Sequence, residues 1–307
     1  MKKCVLIYNP ESGKRRKKLK IELTENILNE YGYDVTFIKT LKAGDCMNII
    51  ANLDFVDLVI VAGGDGTLNE AISGNLMREN KLLISHLPIG TVTDVGKLYG
   101  FTKKITKDLN LMLNGIEKNI DVCLINNKPF IYVACFGNFT NISYDTPRRL
   151  KKKFGRFGYI LYALKSIKEK IKQYNIQYEI DGLKYEGKFS FMFITNTSRV
   201  GGINNIYHDV KLDDNMFEVA FCSVKNKKEL IKTLYNIKTK DINNISNIKY
   251  YRTNNLKIIF DNVPSASWCI DGEELKHNNK EFNFGVDKSN NVLIPKVNIK
   301  KLFKGDK

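Results

Sequence analysis

Residues 57–70 constrain the fold more than any other stretch, and they read Asp-Leu-Val-Ile-Val-Ala-Gly-Gly-Asp-Gly-Thr-Leu-Asn-Glu. The first part, Leu58 to Ala62, consists of five apolar or β-branched residues and predicts a short buried strand. The Gly63-Gly-Asp-Gly that follows predicts a tight turn, and a helix is predicted to begin near Thr67. Because a helix N-terminus carries unsatisfied N–H groups and about half a positive charge, this turn is suited to holding phosphate.

Asp65 is the informative residue of this turn. The surrounding glycines let backbone amides approach phosphate oxygens, whereas a carboxylate among them makes sense mainly when a cation lies between it and the phosphates. A plain glycine turn after a strand is more often structural, and the spacing fits neither the Rossmann nor the Walker fingerprint. The strand, the GGDGT turn and the following Asn69-Glu70 together are much more specific.

The amino-terminal half alternates predicted strands with predicted helices. The strands are Lys3–Tyr8, Asp34–Lys39, Leu58–Ala62 and Leu82–Leu87. The helices are Lys14–Tyr31, Asp45–Leu53 and Thr67–Glu79. This alternation predicts a parallel sheet covered by helices on both faces. Ligands bind such sheets at the carboxyl ends of the strands. Four polar loops follow there: Asn9–Gly13, Thr40, the glycine turn and Pro88–Asp94.

From about Asp121 the pattern changes to strands separated by turns, which predicts a second, β-sandwich-like domain. The predicted strands are Asp121–Ile125, Phe130–Phe136, Ile176–Ile180, Leu183–Phe193, Phe217–Val224, Asn255–Phe260, Ser267–Ile270, Glu281–Asp287 and Asn291–Val297. A chain of 307 residues is long for one core, which also favours two domains.

The composition limits the setting of the protein. Forty-nine Lys and Arg against 33 Asp and Glu give a formal net charge of +16, which indicates an anionic partner or an AT-rich coding bias. Six cysteines without CxxC pairing predict reduced, buried thiols in a cytoplasmic protein. No run of about 18 apolar residues occurs, so no segment is predicted to span a membrane.

Two basic segments could contact an anionic membrane surface. One is Lys14–Lys18, and the other is Arg148–Arg156, which lies in the stretch Thr146–Lys172 with aromatic and aliphatic residues at helical spacing. A solvated basic face explains the first equally well, and a surface helix packed on its own domain explains the second. Nucleic acid is not expected, because no binding fold or zinc-ligand spacing supports it. His86, His208 and His277 are predicted to be structural or surface residues.

Residues 63–70, GGDGTLNE, resemble the signature of the diacylglycerol kinase catalytic domain, in particular its soluble bacterial lipid kinases. Two other loops resemble family elements, NPxSG in the first loop and PxGTxND in the fourth, where Thr93 replaces the usual Asn. The resemblance implies an ATP site. Its nucleotide-binding residues would be Asn9, Pro10, Ser12, Gly13, Thr40, Gly63, Gly64, Asp65, Gly66, Thr67, Asn69, Glu70, Gly90 and Thr91.

Residues 211–217, KLDDNMF, resemble the family's KLDDGxF element, which holds a structural Mg²⁺ in the bacterial enzymes. The ligands implied are Asp214 and the backbone oxygens of Lys211 and Met216. Adjacent carboxylates in a turn suit a hard cation, although such a turn needs no metal to exist. Asn215 replaces the usual Gly and can adopt the same left-handed conformation.

Residues 270–273, IDGE, resemble the motif that carries the catalytic base in these kinases. The resemblance assigns the base to Glu273, with Asp271 supporting it. An ordinary Asp-Gly hairpin with an exposed Glu is the alternative interpretation. Phosphoryl transfer to an alcohol needs a base near the acceptor hydroxyl, which favours the functional assignment.

The sequence therefore predicts an ATP-dependent, Mg²⁺-requiring lipid kinase in which Asp65, Asp271 and Glu273 are catalytic. Residues 1–120 and about 283–307 would form the α/β ATP-binding domain, and 121–282 the β-rich lipid-substrate domain, with transfer in the cleft between them. Diacylglycerol, giving phosphatidic acid, is the first expected substrate, ahead of phosphatidylglycerol or a sphingoid base.

Two other functions remain open, an NAD kinase and a non-catalytic nucleotide- or membrane-binding regulator. No second-domain element resembles the GSTAY stretch of NAD kinases, and the retained Asp65 and Glu273 favour activity. The expected location is the cytoplasm, peripheral at the inner membrane face. The expected partners are a lipid substrate and an anionic membrane surface, with a homodimer left open.

Overall fold

The structure is a computed structural model of the chain, and it describes residues 1–10, 19–90, 93–102, 104–137, 171–197, 207 and 209–305, except the side chain of Lys238. Helices α1 to α7 are Ile21–Glu30, Asp45–Asn52, Asp65–Leu76, Asp94–Leu98, Ile105–Leu113, Lys227–Thr239 and Ile299–Leu302. Strands β1 to β8 are Lys2–Tyr8, Tyr33–Lys39, Leu58–Gly63, Ile84–Pro88, Ile116–Ile125, Lys128–Phe130, Val133–Gly137 and Tyr174–Ile180. Strands β9 to β16 are Leu183–Phe189, Phe191–Thr195, Phe217–Cys222, Ile248–Thr253, Leu256–Phe260, Trp268–Ile270, Glu273–Leu275 and Glu281–Ile294.

The chain divides into two compact units. Unit 1 comprises Met1–Val122, Leu212–Asp214 and Asp287–Lys307, and unit 2 comprises Cys123–Lys211 and Asn215–Val286. The predicted division placed its boundaries after residue 120 and at about residue 283. The functions assigned to the two predicted domains stay predictions.

Unit 1 contains a parallel sheet in the order β2-β1-β3-β4, joined by the carboxy-terminal part of β16 through Val292 beside Ile84. Strand β3 is buried along its whole length, as a continuous apolar run requires when both faces of a sheet are covered. Helix α1 packs beside α5, and α2 packs beside α3. The predicted α/β class is confirmed for this unit.

Unit 2 contains two layers of mainly antiparallel strands. One layer has the order β16-β13-β8-β9, and the other has the order β12-β11-β10-β7-β14-β15. Large aromatic side chains from both layers share one core, including Trp268, Phe136, Phe260 and Phe282. The predicted β-sandwich-like class is therefore confirmed.

Several predicted boundaries were wrong. Helix α1 begins at Ile21, since Lys20 is extended with φ −92° and ψ 97°, so the predicted helix is not continuous to its amino-terminal end, which lies outside the described residues. The two predicted strands between 281 and 297 form the single strand β16. Helix α6 and strand β12 were not predicted.

The cysteines agree with the prediction of reduced thiols. All six lie among the described residues and are free, and all except Cys135 are buried. Burial raises the pKa of the Cys4, Cys46 and Cys222 thiols to about 12. In the described part of the chain, no helix is both long enough and apolar enough to cross a bilayer.

Candidate functional site

The glycine turn leads from β3 directly into α3. Gly64 is the N-cap, with φ −94° and ψ −176°, and α3 begins at Asp65, two residues before the predicted start. The prediction of a tight turn through Gly66 was wrong, because Asp65 and Gly66 already belong to the first helical turn. The first regular helical bond joins the Leu68 N–H to the Gly64 carbonyl at 3.2 Å. The helix N-terminus, with its characteristic excess of N–H donors, thus lies at the GGDG motif itself.

Gly63 in this motif and Gly90 in the loop after β4 are required by close packing. A Cβ on Gly63 would lie 2.5 Å from Thr67 Oγ1, and a Cβ on Gly90 would lie 2.6 Å from the Cα of Gly64. The Gly63 carbonyl accepts hydrogen bonds from the N–H groups of Ile89 and Gly90, both at 3.1 Å. The loops that follow β3 and β4 therefore meet backbone to backbone, as the parallel-sheet rule predicts.

His86 lies beneath this junction. Its side chain is buried, and Nε2 lies 3.3 Å from the Gly63 carbonyl oxygen. Burial lowers the pKa of His86 to about 4, since a charged imidazolium would lose its hydration there. A neutral His86 supports the turn, which agrees with the structural role that was predicted for it.

Asp65 reaches from α3 to the start of the next helix. Its Oδ2 accepts a hydrogen bond from the N–H of Asp94, the first residue of α4, at 2.7 Å. Asp94 is buried, and so is Thr93, the N-cap of α4 and the position where the family usually has Asn. Burial, followed by the charge of Asp65, raises the pKa of Tyr99. The contact fixes the Asp65 carboxylate, and the sequence had not connected it with Asp94.

The loops after β1 and β2 lie on the same edge of the sheet. The Asn9 N–H donates to the Ala62 carbonyl at 3.2 Å. Both the N–H and the hydroxyl of Thr40 donate to the Tyr8 carbonyl, at 3.0 and 3.4 Å. Pro10 follows Asn9 in a turn. The first residues after β1, β2 and β4 are thus bonded through their backbones to the carboxyl ends of neighbouring strands.

The Asn69-Glu70 pair continues α3. The Asn69 carbonyl accepts from the Ser73 hydroxyl at 2.8 Å. The Glu70 carboxylate accepts from the N–H groups of Gly44 and Cys46, at 2.9 and 3.2 Å, at the beginning of α2. Glu70 is therefore placed against α2, whereas its predicted role was nucleotide binding.

In unit 2, Asp271 is held by backbone amides. Its carboxylate accepts from the N–H groups of three consecutive residues, Ile131, Tyr132 and Val133, at 2.9, 3.0 and 2.9 Å. Its own N–H donates to the Val133 carbonyl at 2.9 Å. Asp271 and Gly272 are left-handed, with φ 50° and 97°. Glu273 follows as the exposed first residue of β15. The carboxylates of this motif therefore differ sharply: one is anchored, the other faces solvent.

The predicted metal turn has the expected backbone conformation. Asn215 is left-handed, with φ 61°, as predicted for a residue in place of Gly. The preceding Asp213 carboxylate accepts from the Lys304 N–H at 2.9 and 3.2 Å. Lys211, Asp214 and Met216 are half-buried. Among the residues that the structure describes, no cluster of three or more His, Cys, Asp or Glu side chains could hold a metal. A cation here would depend on one carboxylate and backbone oxygens, which suits a hard ion.

Some predicted features lie outside the described residues. They are Ser12, Gly13, Thr91, His208 and the basic segments Lys14–Lys18 and Arg148–Arg156. Two contributors to the site were missed by sequence reasoning, the Asp94 amide and the backbone of 131–133. The first had a local signal, an Asp at a helix start. The second had none, because it acts without side chains.

Comparison with protein families gives a match to the diacylglycerol kinase catalytic domain over residues 3–125. The chain is 30% identical to a diacylglycerol kinase of Bacillus subtilis (strain 168) over 261 residues, which are 84% of this chain and 86% of the relative. It is 32% identical to a diacylglycerol kinase of Staphylococcus aureus (strain MRSA252) over 231 residues, covering 75% of this chain and 73% of the relative.

Comparison with solved structures supports the fold. The crystal structure of a diacylglycerol kinase from Bacillus anthracis str. Sterne matches with a TM-score of 0.74 at 18% identity, covering 97% of this chain and 98% of that chain. A second structure from the same organism matches with a TM-score of 0.79 at 22% identity, covering 96% and 97%.

Proposed function

The chain belongs to the diacylglycerol kinase family and is a lipid kinase, and from this premise we propose that it transfers the γ-phosphoryl group of ATP to the hydroxyl of diacylglycerol, giving phosphatidic acid. The observation that carries the ATP assignment is the GGDG motif at the N-terminus of α3, with the Asp65 carboxylate fixed beside it. N–H donors at such a helix start suit phosphate.

Unit 1 supplies the nucleotide-binding residues in this proposal. The set includes Gly63, Gly64, Gly66 and Gly90, and at Gly66 the space that a side chain would take is open to a phosphate oxygen. The remaining residues of the set are Asn9, Pro10, Ser12, Gly13, Thr40, Asp65, Thr67, Asn69 and Thr91. Glu70, which the sequence also predicted to bind the nucleotide, is left out because its carboxylate is held by the start of α2. Mg²⁺ bound with the nucleotide would neutralise phosphate charge, and Asp65 would be the carboxylate that holds it.

Unit 2 supplies the acceptor side. Glu273 accepts the hydroxyl proton while the alcohol oxygen forms a bond to the γ-phosphorus, and the bond from that phosphorus to the oxygen bridging it to the β-phosphate breaks to release ADP. Asp271 holds the turn in place through its three amide contacts. Positioning and charge neutralisation supply most of the rate in phosphoryl transfer.

A radiolabelled ATP assay over a panel of acceptors tests the proposal. Diacylglycerol, phosphatidylglycerol, a sphingoid base and NAD would be offered to the wild type and to Asp65→Ala. We expect label in phosphatidic acid with the wild type and none with Asp65→Ala. Label in NAD alone would show an NAD kinase, and no label with any acceptor would favour a non-catalytic regulator.

The structural metal is a separate proposal. Asp214 would bind Mg²⁺ through its carboxylate, and Lys211 and Met216 through backbone oxygens, at a turn that the left-handed Asn215 shapes. Isothermal titration with Mg²⁺ would compare the wild type with Asp214→Asn. Equal Mg²⁺ binding by both proteins would contradict this ligand set.

We also propose peripheral contact with anionic lipid at the cytoplasmic membrane face. The support in unit 1 is a groove of about 690 Å³ lined by the exposed cations Lys104, Lys107 and Lys296 and by Val297, which is 66% exposed. Basic groups beside aliphatic ones suit an anionic bilayer surface.

Co-sedimentation with phosphatidylglycerol vesicles would test this contact. Adsorption should weaken from low to high salt and in the triple variant Lys104→Glu, Lys107→Glu, Lys296→Glu. A triple variant at Lys225, Lys227 and Lys228, which are exposed in unit 2, is the control. Equal adsorption by the two triple variants would contradict the groove's role.

The homodimer stays a prediction, which analytical ultracentrifugation would test.

A further inference from the structure

We infer that Glu70 is a positioning residue, which ties α3 to the loop between β2 and α2, and that it does not bind the nucleotide. Each carboxylate oxygen has its own backbone donor. Oε1 accepts from the Gly44 N–H at 2.9 Å, and Oε2 accepts from the Cys46 N–H at 3.2 Å. Both donors belong to the N-terminus of α2, where a negative charge is favoured by the exposed N–H groups and the helix dipole.

The helical turn of α3 separates the Glu70 side chain from that of Asp65. Successive helical residues are turned by about 100°, so Glu70 lies about 140° around α3 from Asp65, while Asn69 lies about 40° from it. Glu70 lies only about 40° from Gly74, the residue at which α3 packs against α2. Its carboxylate is therefore on the α2 side of the helix and not on the side that carries Asp65.

Helices α2 and α3 approach closely enough for the Glu70 side chain to reach the start of α2. A Cβ on Gly74 would lie 2.3 Å from the carbonyl oxygen of Met47, so only a glycine permits the observed packing. Glu70 lies one helical turn before Gly74 on the same face of α3. Its carboxylate is thus brought to the start of α2 by backbone packing and does not depend on a ligand.

The segment that Glu70 restrains is the loop carrying Thr40. At its beginning, Thr40 donates to the Tyr8 carbonyl. Within it, the N–H groups of Leu41 and Lys42 donate to the Asp45 carboxylate at 2.7 and 3.0 Å. At its end, Gly44 is left-handed, with φ 85°, and donates to Glu70. Leu41 is 83% exposed, so apolar burial contributes little to holding the loop. Glu70 therefore connects the loop end to the helix that starts at the glycine turn.

The functional consequence rests on the proposed function, in which Thr40 and the glycine turn contact the same nucleotide. If the two hydrogen bonds of Glu70 are lost, the loop that carries Thr40 and the glycine turn are no longer held in their relative positions before ATP binds. Ordering them then costs binding free energy, so KM for ATP rises more than kcat falls.

The test compares Glu70→Ala and Glu70→Gln with Glu25→Gln, an exposed glutamate on α1 that serves as the control. Hydrogen–deuterium exchange of the nucleotide-free proteins reports on the amides of Gly44 and Cys46. We expect exchange there to be faster by about tenfold or more in Glu70→Ala. In Glu70→Gln the increase should be smaller, because the side-chain oxygen still accepts one bond. The control should match the wild type.

Kinetics gives the second readout. KM for ATP should rise by about 5- to 20-fold in Glu70→Ala with a smaller change in kcat. Unchanged exchange at residues 40–47 in both Glu70 variants would overturn the inference, and combined with lost nucleotide binding it would show that Glu70 is a ligand. Should Glu70→Ala fail to fold, Glu70→Gln alone decides. Since the exchange experiment needs neither ATP nor lipid, it remains decisive even if diacylglycerol proves not to be the substrate.

Discussion

The two acidic motifs of the molecule use backbone amides in opposite ways. In unit 1, the GGDG motif places a helix N-terminus where a ligand's negative charge can meet N–H donors. In unit 2, three consecutive N–H groups are already occupied by the Asp271 carboxylate of the protein itself. The same chemistry thus supplies the proposed ligand-binding surface in one region and internal support in the other. We therefore expect Asp271, which accepts three backbone bonds, to position the turn, and the exposed Glu273 to be the better candidate for the base.

Glu273→Gln is the substitution with the largest expected effect. If Glu273 is the base, kcat should fall by about 10²- to 10⁴-fold, while ATP affinity and stability stay unchanged because the side chain is exposed. Glu274→Gln, the exposed next residue of β15, is the matched control. Steady-state kinetics and nucleotide titration measure both effects. A wild-type kcat in Glu273→Gln would show that Glu273 is not the base.

Asp271→Asn should show the opposite profile. Asparagine tolerates the left-handed backbone, so the substitution mainly removes charge and turns an NH₂ group toward N–H donors. We expect the free energy of unfolding to fall by about 2 to 4 kcal/mol. Urea denaturation of Asp271→Asn beside Glu273→Gln measures the contrast. Equal stability of the two variants would mean that the amide contacts do not support the turn.

In unit 1, burial of His86 makes the free energy of unfolding depend on pH. Its pKa is about 4 in the folded chain against 6.5 for an unperturbed histidine, so between these values the unfolded chain binds the additional proton. The contribution of His86 is complete above pH 6.5 and is lost as pH falls toward 4, by up to about 3 kcal/mol. Urea unfolding at pH 7 and pH 4.5 should show a smaller pH-dependent loss in His86→Leu than in the wild type. An identical loss would show that His86 titrates normally.

The smallest effect separates two glycines of the turn. Gly63→Ala should destabilise by about 1 to 3 kcal/mol, because the new methyl collides with Thr67. Outside its chain neighbours and the backbone of its own helix, Gly66→Ala meets no atom within 4 Å. The residue lies inside α3, so stability should be unchanged or up to about 1 kcal/mol higher. Thermal unfolding checks both. Loss of ATP binding in a fully stable Gly66→Ala would locate the nucleotide at that residue.

The sequence was sufficient for features that depend on continuous patterns. Strand β3 follows from its apolar run, and the meeting of the loops after β3 and β4 follows from the rule for parallel sheets. The start of α3 was misplaced because glycines indicate a turn, whereas here Asp65 and Gly66 are helical. Strand β16 was divided because the polar residues near Asp287 resemble a turn. There the Asp287 carboxylate accepts from the N–H and hydroxyl of Ser289, within a continuous strand.

Helix α6 illustrates a local signal that was present and overlooked. Asn226 is its N-cap and accepts from the Glu229 N–H at 3.0 Å, while the Glu229 carboxylate accepts from the Lys225 N–H at 2.8 Å. An Asn followed by Glu three residues later is a recognised helix-start pattern. The partners of Glu70 and Asp271 are different, because they are backbone amides distant in sequence. No side-chain pattern could have identified them.

Asp271 is held by backbone N–H groups distant in sequence, so the IDGE motif alone does not specify the structure that supports it. Its three donors lie 138 to 140 residues earlier in the chain and contribute no side chain. A search for the tetrapeptide IDGE therefore detects one half of a two-part structure. Transplanting those four residues into another scaffold would carry the acid across without the amides that hold it, so any engineered transfer must bring the backbone of 131–133 as well.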